Sequence, residues 1–283
     1  MVIGMCGPVV IGYGTPAQKA HYMPRMLSGG DFWRQGYSEP GAGSDLAALQ
    51  MSATLDGDNF VCNGHNIWTT QANYANWIFC LVRTSREAVR QRGITFLMID
   101  MATPGVSVRP IVSLSGEPIQ NEVFFTDVSV PRANAVGSFG EGWTVAKYLM
   151  QFERRGHASA PGLKARAARI RGIAAAEPGE GGVRLVADPG FNARLAQAEI
   201  EIEALNTVEL RLMAGLSQGA APGSESSLQN TVATELSQRL SELAVEAVGP
   251  WAIPYQPHAV FPGGPTPGYS TPADQGTVGP DYS

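Results

Sequence analysis

The feature that most restricts this chain is a series of short apolar segments between residues 51 and 130, each closed off by turn formers. Met51, Ala53 and Leu55 alternate with polar residues, Asp56-Gly57 marks a turn, and Phe60 and Cys62 resume the alternation. That pattern predicts a hairpin. Residues 77–82, 94–100, 106–111 and 122–130 follow as further strands. Glycine, proline and asparagine separate them at roughly ten-residue spacing, as in an antiparallel barrel or sandwich. An antiparallel β-domain is therefore expected over about residues 33–130.

The flanks carry a different period. Thr15-Pro16 offers a cap and a first-turn proline for a helix over 15–28, with Tyr22, Met23 and Met26 on one face. Pro24 predicts a break or kink inside it, and Gly29-Gly30 its end. Residues 143–152 are densely apolar without turn formers and read as a buried helix. Asp188-Pro189 opens another, in which Phe191, Leu195, Ala198, Ile202, Leu205, Val208 and Leu212 recur at steps of three and four. Leu228, Val232, Leu236, Leu240, Leu243 and Ala247 repeat the pattern, and Gly249-Pro250 stops it. These two helices are expected to pack in a bundle. From residue 250 onward, eight prolines and five glycines fall among 34 residues with only two charges, Asp274 and Asp281. That composition predicts an irregular tail.

The fold class expected is α+β: an antiparallel β-barrel or sandwich as the middle domain, then a C-terminal helical bundle, with the remnant of an N-terminal helical domain in front. The expected boundaries are 1–30, 31–138, 139–250 and 251–283.

Several functions are excluded by composition. The net charge is −5 and no basic stripe is present, so the chain is no dedicated nucleic-acid binder. No apolar run is long enough for a transmembrane helix. Cys6, Cys62 and Cys80 are odd in number and far apart, giving neither a disulfide framework nor a metal pair. Reduced thiols and a cytoplasmic location are expected. His21, His65, His157 and His258 are isolated from one another, so no metal site is expected. No dinucleotide-binding or phosphate-loop glycine motif appears. Gly36-Tyr37-Ser38-Glu39-Pro40 resembles a nucleophile elbow but has proline for its last glycine. Residues 1–13 hold no charged side chain and have neither the basic lead-in nor the cleavage site of a signal peptide. They are expected to sit inside a fold and to need a covering domain.

Two segments carry candidate chemistry. In Tyr37-Ser-Glu-Pro-Gly-Ala-Gly-Ser-Asp45, two glycines between Ser38 and Ser44 let backbone N–H groups approach an anion. The same loop could simply be a turn in which Ser44 or Asp45 caps a short helix. In Ile67-Trp68-Thr69-Thr70-Gln71, a tryptophan beside two hydroxyls can cover a flat ring and bond its heteroatoms, or can be ordinary strand.

Taken together, these segments make the chain similar to the acyl-CoA dehydrogenase family. Ser38-Glu-Pro-Gly-Ala-Gly-Ser-Asp45 resembles that family's T-E-P-x-A-G-S-D loop, with serine for threonine, and Trp68-Thr69-Thr70 its W-I-T segment. The run from Tyr13 to Lys19, Asn63-Gly64, Thr103-Pro104-Gly105-Val106, Val123-Phe124-Phe125, Val130-Pro131 and the stretch from Gly140 to Glu153-Arg154 fall where the family has them. The likeness is strong over residues 1–160 and looser over 190–250. There it resembles the branch of large subunits of pimeloyl-CoA or sterol side-chain dehydrogenases.

The resemblance implies FAD as cofactor and α,β-dehydrogenation of an acyl-CoA thioester. It implies that Gln35, Gly36, Tyr37, Ser38, Glu39, Gly43 and Ser44 form the flavin and pyrophosphate side of the site. Trp68, Thr69 and Thr70 would cover the flavin face and its N5 edge. Ser44 and Arg154 would touch the substrate. Most members take the α-proton with a glutamate in a late loop that this sequence does not contain. A minority place it on the first helix of the C-terminal domain, where Glu153 falls, which makes Glu153 the expected base. An electron-transfer flavoprotein or similar acceptor, and a homo- or hetero-oligomer of the tetramer type, are implied as partners. Against the family pattern the chain looks truncated at both ends. Two other readings remain open at this point: a non-catalytic partner subunit of a hetero-oligomeric dehydrogenase, and a flavin oxidase or monooxygenase on the same fold.

Overall fold

The computed structural model describes residues 2–114, 116, 118–153, 159–177, 180–219 and 225–253. The chain divides into two compact units, residues 1–153 and 154–283.

The first unit is built on one eight-stranded sheet. Its strands are β1 (Trp33–Gly36), β2 (Ser52–Asp56), β3 (Asn59–Asn66), β4 (Trp77–Arg83), β5 (Ile94–Asp100), β6 (Val106–Ile111), β7 (Gln120–Pro131) and β8 (Ala135–Val136). The order is β6-β7-β3-β2-β4-β5-β8, with β1 added to β4. Most pairings are antiparallel. The two exceptions converge on one edge of β4, where β1 runs parallel along Trp77 to Cys80 and β2 meets Arg83 in parallel. The β2–β3 hairpin closes at Asp56 opposite Asn59, and Gly57 (φ 57°) makes the turn.

The central strands β4 and β5 are buried without interruption from Ile78 to Val82 and from Ile94 to Ile99. Such a run needs cover on both faces. On one face Phe79, Leu81, Phe96 and Met98 join a core with Val9, Val10, Tyr22 and Leu149. On the other, Ile78, Cys80, Val82, Leu97 and Ile99 meet Ala53, Phe60, Cys62, Val123 and Phe125. The sheet thus folds over itself around the second core, and helices cover the first.

Those helices are α1 (Gly7–Tyr13), α2 (Pro16–Leu27) and α3 (Gly142–Glu153). Met5, Cys6, Val9 and Val10 are buried within this core. One face of the uncharged N-terminal stretch is therefore covered by this chain's own sheet and α3, while Ile3 and Ile11 remain exposed. Helix α2 starts with a reciprocal cap, Gln18 N donating to Thr15 Oγ1 at 3.2 Å and Thr15 N to Gln18 Oε1 at 2.8 Å. It runs through Pro24 without the expected break. The carbonyl that Pro24 leaves without a donor belongs to Ala20, an exposed residue open to solvent.

The second unit is a bundle of α4 (Ala160–Ala176), α5 (Pro189–Ser217) and α6 (Glu225–Val248). Asp188 caps α5 by accepting from Phe191 N at 2.7 Å. Three details depart from the sequence reading. Helix α4 was not foreseen. The apolar seam of α5 ends at Leu205, because the next inward position is Glu209, whose Oε1 accepts from Ala160 N at 3.0 Å and satisfies the start of α4. Leu228 is exposed, and Ala233 takes its place in the core. After α6, residues 249–252 make a short 3₁₀ turn, and residues 254–283 of the expected tail lie outside the described residues. Among the described residues no helix is long and apolar enough to cross a membrane.

Candidate functional site

The site begins where β1 runs out. Gly36 is the last residue of β1 and lies against β4 and β3 so closely that a Cβ would stand 2.6 Å from Asn66 Oδ1 and 2.7 Å from Cys80 Sγ. Only glycine permits that approach. Asn66, wholly buried, accepts from the Cys80 thiol at 3.5 Å and donates from Nδ2 to the Ser38 carbonyl at 3.3 Å. The Ser38 carbonyl also accepts from Ile67 N at 2.9 Å. This bond brings the two sequence segments, 37–45 and 67–71, side by side.

The first segment is clamped by Glu39. Its carboxylate accepts from Met51 N through Oε1 and from Gln50 N through Oε2, each at 2.7 Å. Its backbone pairs with Ala42 in both directions, at 2.9 and 3.1 Å. Every polar arm of Glu39 is thus spent on shaping the loop, and the loop then presents Gly41, Gly43 and Ser44 outward. Nothing lies within 4 Å of a Cβ placed on Gly41 or Gly43. Asp45 does not cap the short 3₁₀ turn at 46–48; it pairs with Arg90 at 2.8 Å on the surface.

The second segment is held differently. Trp68 (φ 62°) and Gln71 (φ 54°) both adopt the left-handed region, which non-glycine residues rarely occupy. Between them Thr69 exchanges bonds with Asn121, N to O and O to Nδ2, both at 3.0 Å, and Gln71 N donates to the Ile119 carbonyl at 2.6 Å. The turn throws the Trp68 ring outward, 59% exposed, and buries Thr69 with an Oγ1 that makes no hydrogen bond. Thr70 Oγ1 donates to Gln120 Oε1 at 3.3 Å.

Gln35, half-buried on β1, and Ser38, half-buried just beyond it, are at the same place. Tyr37 points the other way, into the helix-covered core, its ring edge-on to Phe79 at 5.9 Å and its hydroxyl buried without a hydrogen bond. Burial, then the nearby Cys6, Glu153 and Cys80, hold that hydroxyl well above its usual pKa. Glu153 is the last residue of α3, one turn beyond Leu149, which shares the core with Tyr37. Arg154 lies outside the described residues. Sequence reasoning did not find Arg34, Asn66, Gln71 or Asn121, whose side chains fasten these segments from behind. The one available signal was a charged residue, Arg34, inside an otherwise apolar strand start.

Comparison with known proteins places this geometry. Residues 35–128 match the acyl-CoA dehydrogenase middle domain, and residues 140–259 match the acyl-CoA dehydrogenase C-terminal domain. The chain belongs to the acyl-CoA dehydrogenase family. Acyl-CoA dehydrogenase IpdE1 of Mycobacterium tuberculosis is 36% identical over 87% of this chain and 62% of its own length. Acyl-CoA dehydrogenase FadE26 of the same organism is 32% identical over 88% and 64%. This acyl-CoA dehydrogenase chain thus spans less than two thirds of these curated relatives. Among solved structures, one from the ChsE4-ChsE5 complex of Mycobacterium tuberculosis superposes with a TM-score of 0.79 at 31% identity, covering 90% of this chain and 66% of its own. The Tcur3481-Tcur3483 steroid acyl-CoA dehydrogenase gives 0.77 at 28% identity, covering 88% and 63%.

Proposed function

We propose that this chain is part of an FAD-dependent dehydrogenase that introduces an α,β double bond into an acyl-CoA thioester. FAD, when bound, supplies the acceptor for the β-hydride. The residues present fit it. Trp68 offers a flat exposed ring, Ser38 and Thr70 offer hydroxyls beside it, and Gly41 and Gly43 leave open ground for a pyrophosphate next to Ser44. The orphan Thr69 hydroxyl is a buried polar atom without a protein partner. Gln35 and Gly36 set the strand end from which these groups project, Tyr37 turns the chain over, and Glu39 fixes the loop by its clamp. Glu153 takes the α-proton, and Ser44 and Arg154 contact the CoA portion.

The observation that carries this reading is the Ser38–Ile67 bond, which joins an open glycine loop to a strained, outward-facing tryptophan turn. Backbone held in the left-handed region at Trp68 persists because its surroundings enforce it, a frequent mark of a functional site. A complete enzyme of this type includes a second subunit and passes electrons to an electron-transfer flavoprotein. The two-protein names of both solved relatives support the first of these. The steroid class in the name of the Tcur3481-Tcur3483 enzyme makes a bulky ring-bearing acyl-CoA the first substrate to try.

The test uses the chain with FAD and its partner. Glu153→Gln keeps size and hydrogen bonding but removes the base. Flavin reduction by acyl-CoA is expected to fall at least about a hundredfold while FAD stays bound. A rate close to the parent's refutes Glu153 as base. Thr70→Val is expected to slow reduction and shift the flavin spectrum; an unchanged spectrum removes Thr70 from the flavin edge.

A further inference from the structure

Arg34 is a cation in the wrong company. It is 8% exposed, and no Asp or Glu lies within ion-pair distance of it among the described residues. Its guanidinium lies 3.8 Å from the centre of the Phe32 ring. Nη1 donates weakly to the Trp33 carbonyl at 3.4 Å, Nη2 donates to Gln71 Oε1, and Nε is buried with no partner. A buried guanidinium normally has a carboxylate. Here its principal hydrogen bond goes to the amide of Gln71, the residue that ends the strained turn and follows Thr70 directly.

Two consequences follow from that placement. The Arg34–Gln71 bond fixes a left-handed residue whose geometry sets the course of Trp68 to Thr70. The charge, with no carboxylate partner among the described residues and little screened by salt where it is buried, is bonded to the residue that follows Thr70. Removal of an α-proton and a β-hydride leaves Glu153 neutral and the bound cofactor one unit more negative, so a fixed positive charge near the cofactor favours the reduced state. We propose that Arg34 is a positioning residue that holds the Trp68–Gln71 turn through Gln71 and raises the reduction potential of the flavin bound there. This rests on the reading that the turn faces FAD, and it is independent of which residue is the base.

Three variants separate tether from charge. Gln71→Glu keeps the bond to Arg34 as an ion pair and cancels the charge. Arg34→Met removes both, and Arg34→Lys keeps the charge without the fork. The chain, loaded with FAD without substrate, is equilibrated anaerobically with a reference dye, and FAD affinity of the apoprotein is titrated separately. Gln71→Glu is expected to shift the oxidised-to-reduced ratio about tenfold towards oxidised, or about 30 mV for a two-electron couple, with FAD affinity near the parent's. Arg34→Met is expected to lose both potential and affinity, and Arg34→Lys to restore the potential. If Arg34→Met does not fold, the other two variants still decide. An unchanged dye equilibrium in folded, FAD-loaded Gln71→Glu overturns the proposal while leaving the flavin site standing. A parent chain that takes up no FAD under any of these conditions overturns both.

Discussion

The two segments of the site sit side by side but are secured by opposite means. The Ser38–Asp45 loop has no non-glycine residue in the left-handed region and is anchored by one buried carboxylate that accepts two main-chain N–H groups. The Trp68–Gln71 turn carries two residues in a costly backbone region and is anchored by several separate bonds to β7 and its neighbours. The loop's main anchor is therefore one carboxylate, with Asn66 and Ile67 holding it at the Ser38 carbonyl. The turn depends on its whole surroundings and keeps its polar groups partly unspent.

The comparison can be broken at its heavier end first. Glu39→Ala removes two charge-assisted bonds and leaves two main-chain donors without partners, so a loss of about 4 kcal/mol in unfolding free energy is expected in urea titrations. A loss under about 1 kcal/mol means that the loop is held elsewhere.

The core behind both segments offers a second lever. Burial raises the Cys62 thiol from 9.0 to about 12. Below pH 9 the thiol is neutral in both states and costs nothing. Above pH 9 the unfolded chain ionises first, so stability falls as pH rises towards about 12, by roughly 1.4 kcal/mol per unit for one such thiol. Urea titrations of Cys62→Ala at pH 8 to 10.5 are expected to show a shallower decline than those of the parent, and an equal decline would count against this assignment.

Smaller effects sharpen the contrast at the turn. Thr69→Val deletes a buried hydroxyl that has no protein partner, so the apoprotein is expected to gain about 1 kcal/mol while losing FAD affinity. A gain in both would show that the hydroxyl never meets the cofactor. Trp68→Gly relieves the left-handed backbone and removes mostly exposed surface. Its unfolding free energy should move by less than about 1 kcal/mol, with FAD binding the property that suffers. Should Trp68→Gly unfold the chain instead, the turn is a structural anchor like Glu39.

Much of this was readable from the sequence, for physical reasons that can be named. Strands β2 to β7 showed themselves by alternation or by uninterrupted apolar runs bounded by turns. Asp188 and Thr15 declared their helices because caps are local chemistry. Helix α4 escaped because its core positions are largely alanine, at 160, 167 and 174, and give little hydrophobic contrast. Pro24 misled because the rule against proline assumes that the freed carbonyl is enclosed, and Ala20 is open to water. Within the site, the motif residues were legible and their fasteners were not. The Glu39 clamp needs Gln50 and Met51, and Arg34 needs Gln71, 37 residues away. Nothing in a residue's own neighbourhood announces a partner that far along the chain.

Helix α3 ends at Glu153, and the first compact unit ends there too. The proposed proton acceptor, the glycine loop and the tryptophan turn thus fall within one compact unit, with its border just downstream. Gene fusion, fission or exchange at that border would trade the helical bundle without separating any of these three from the others.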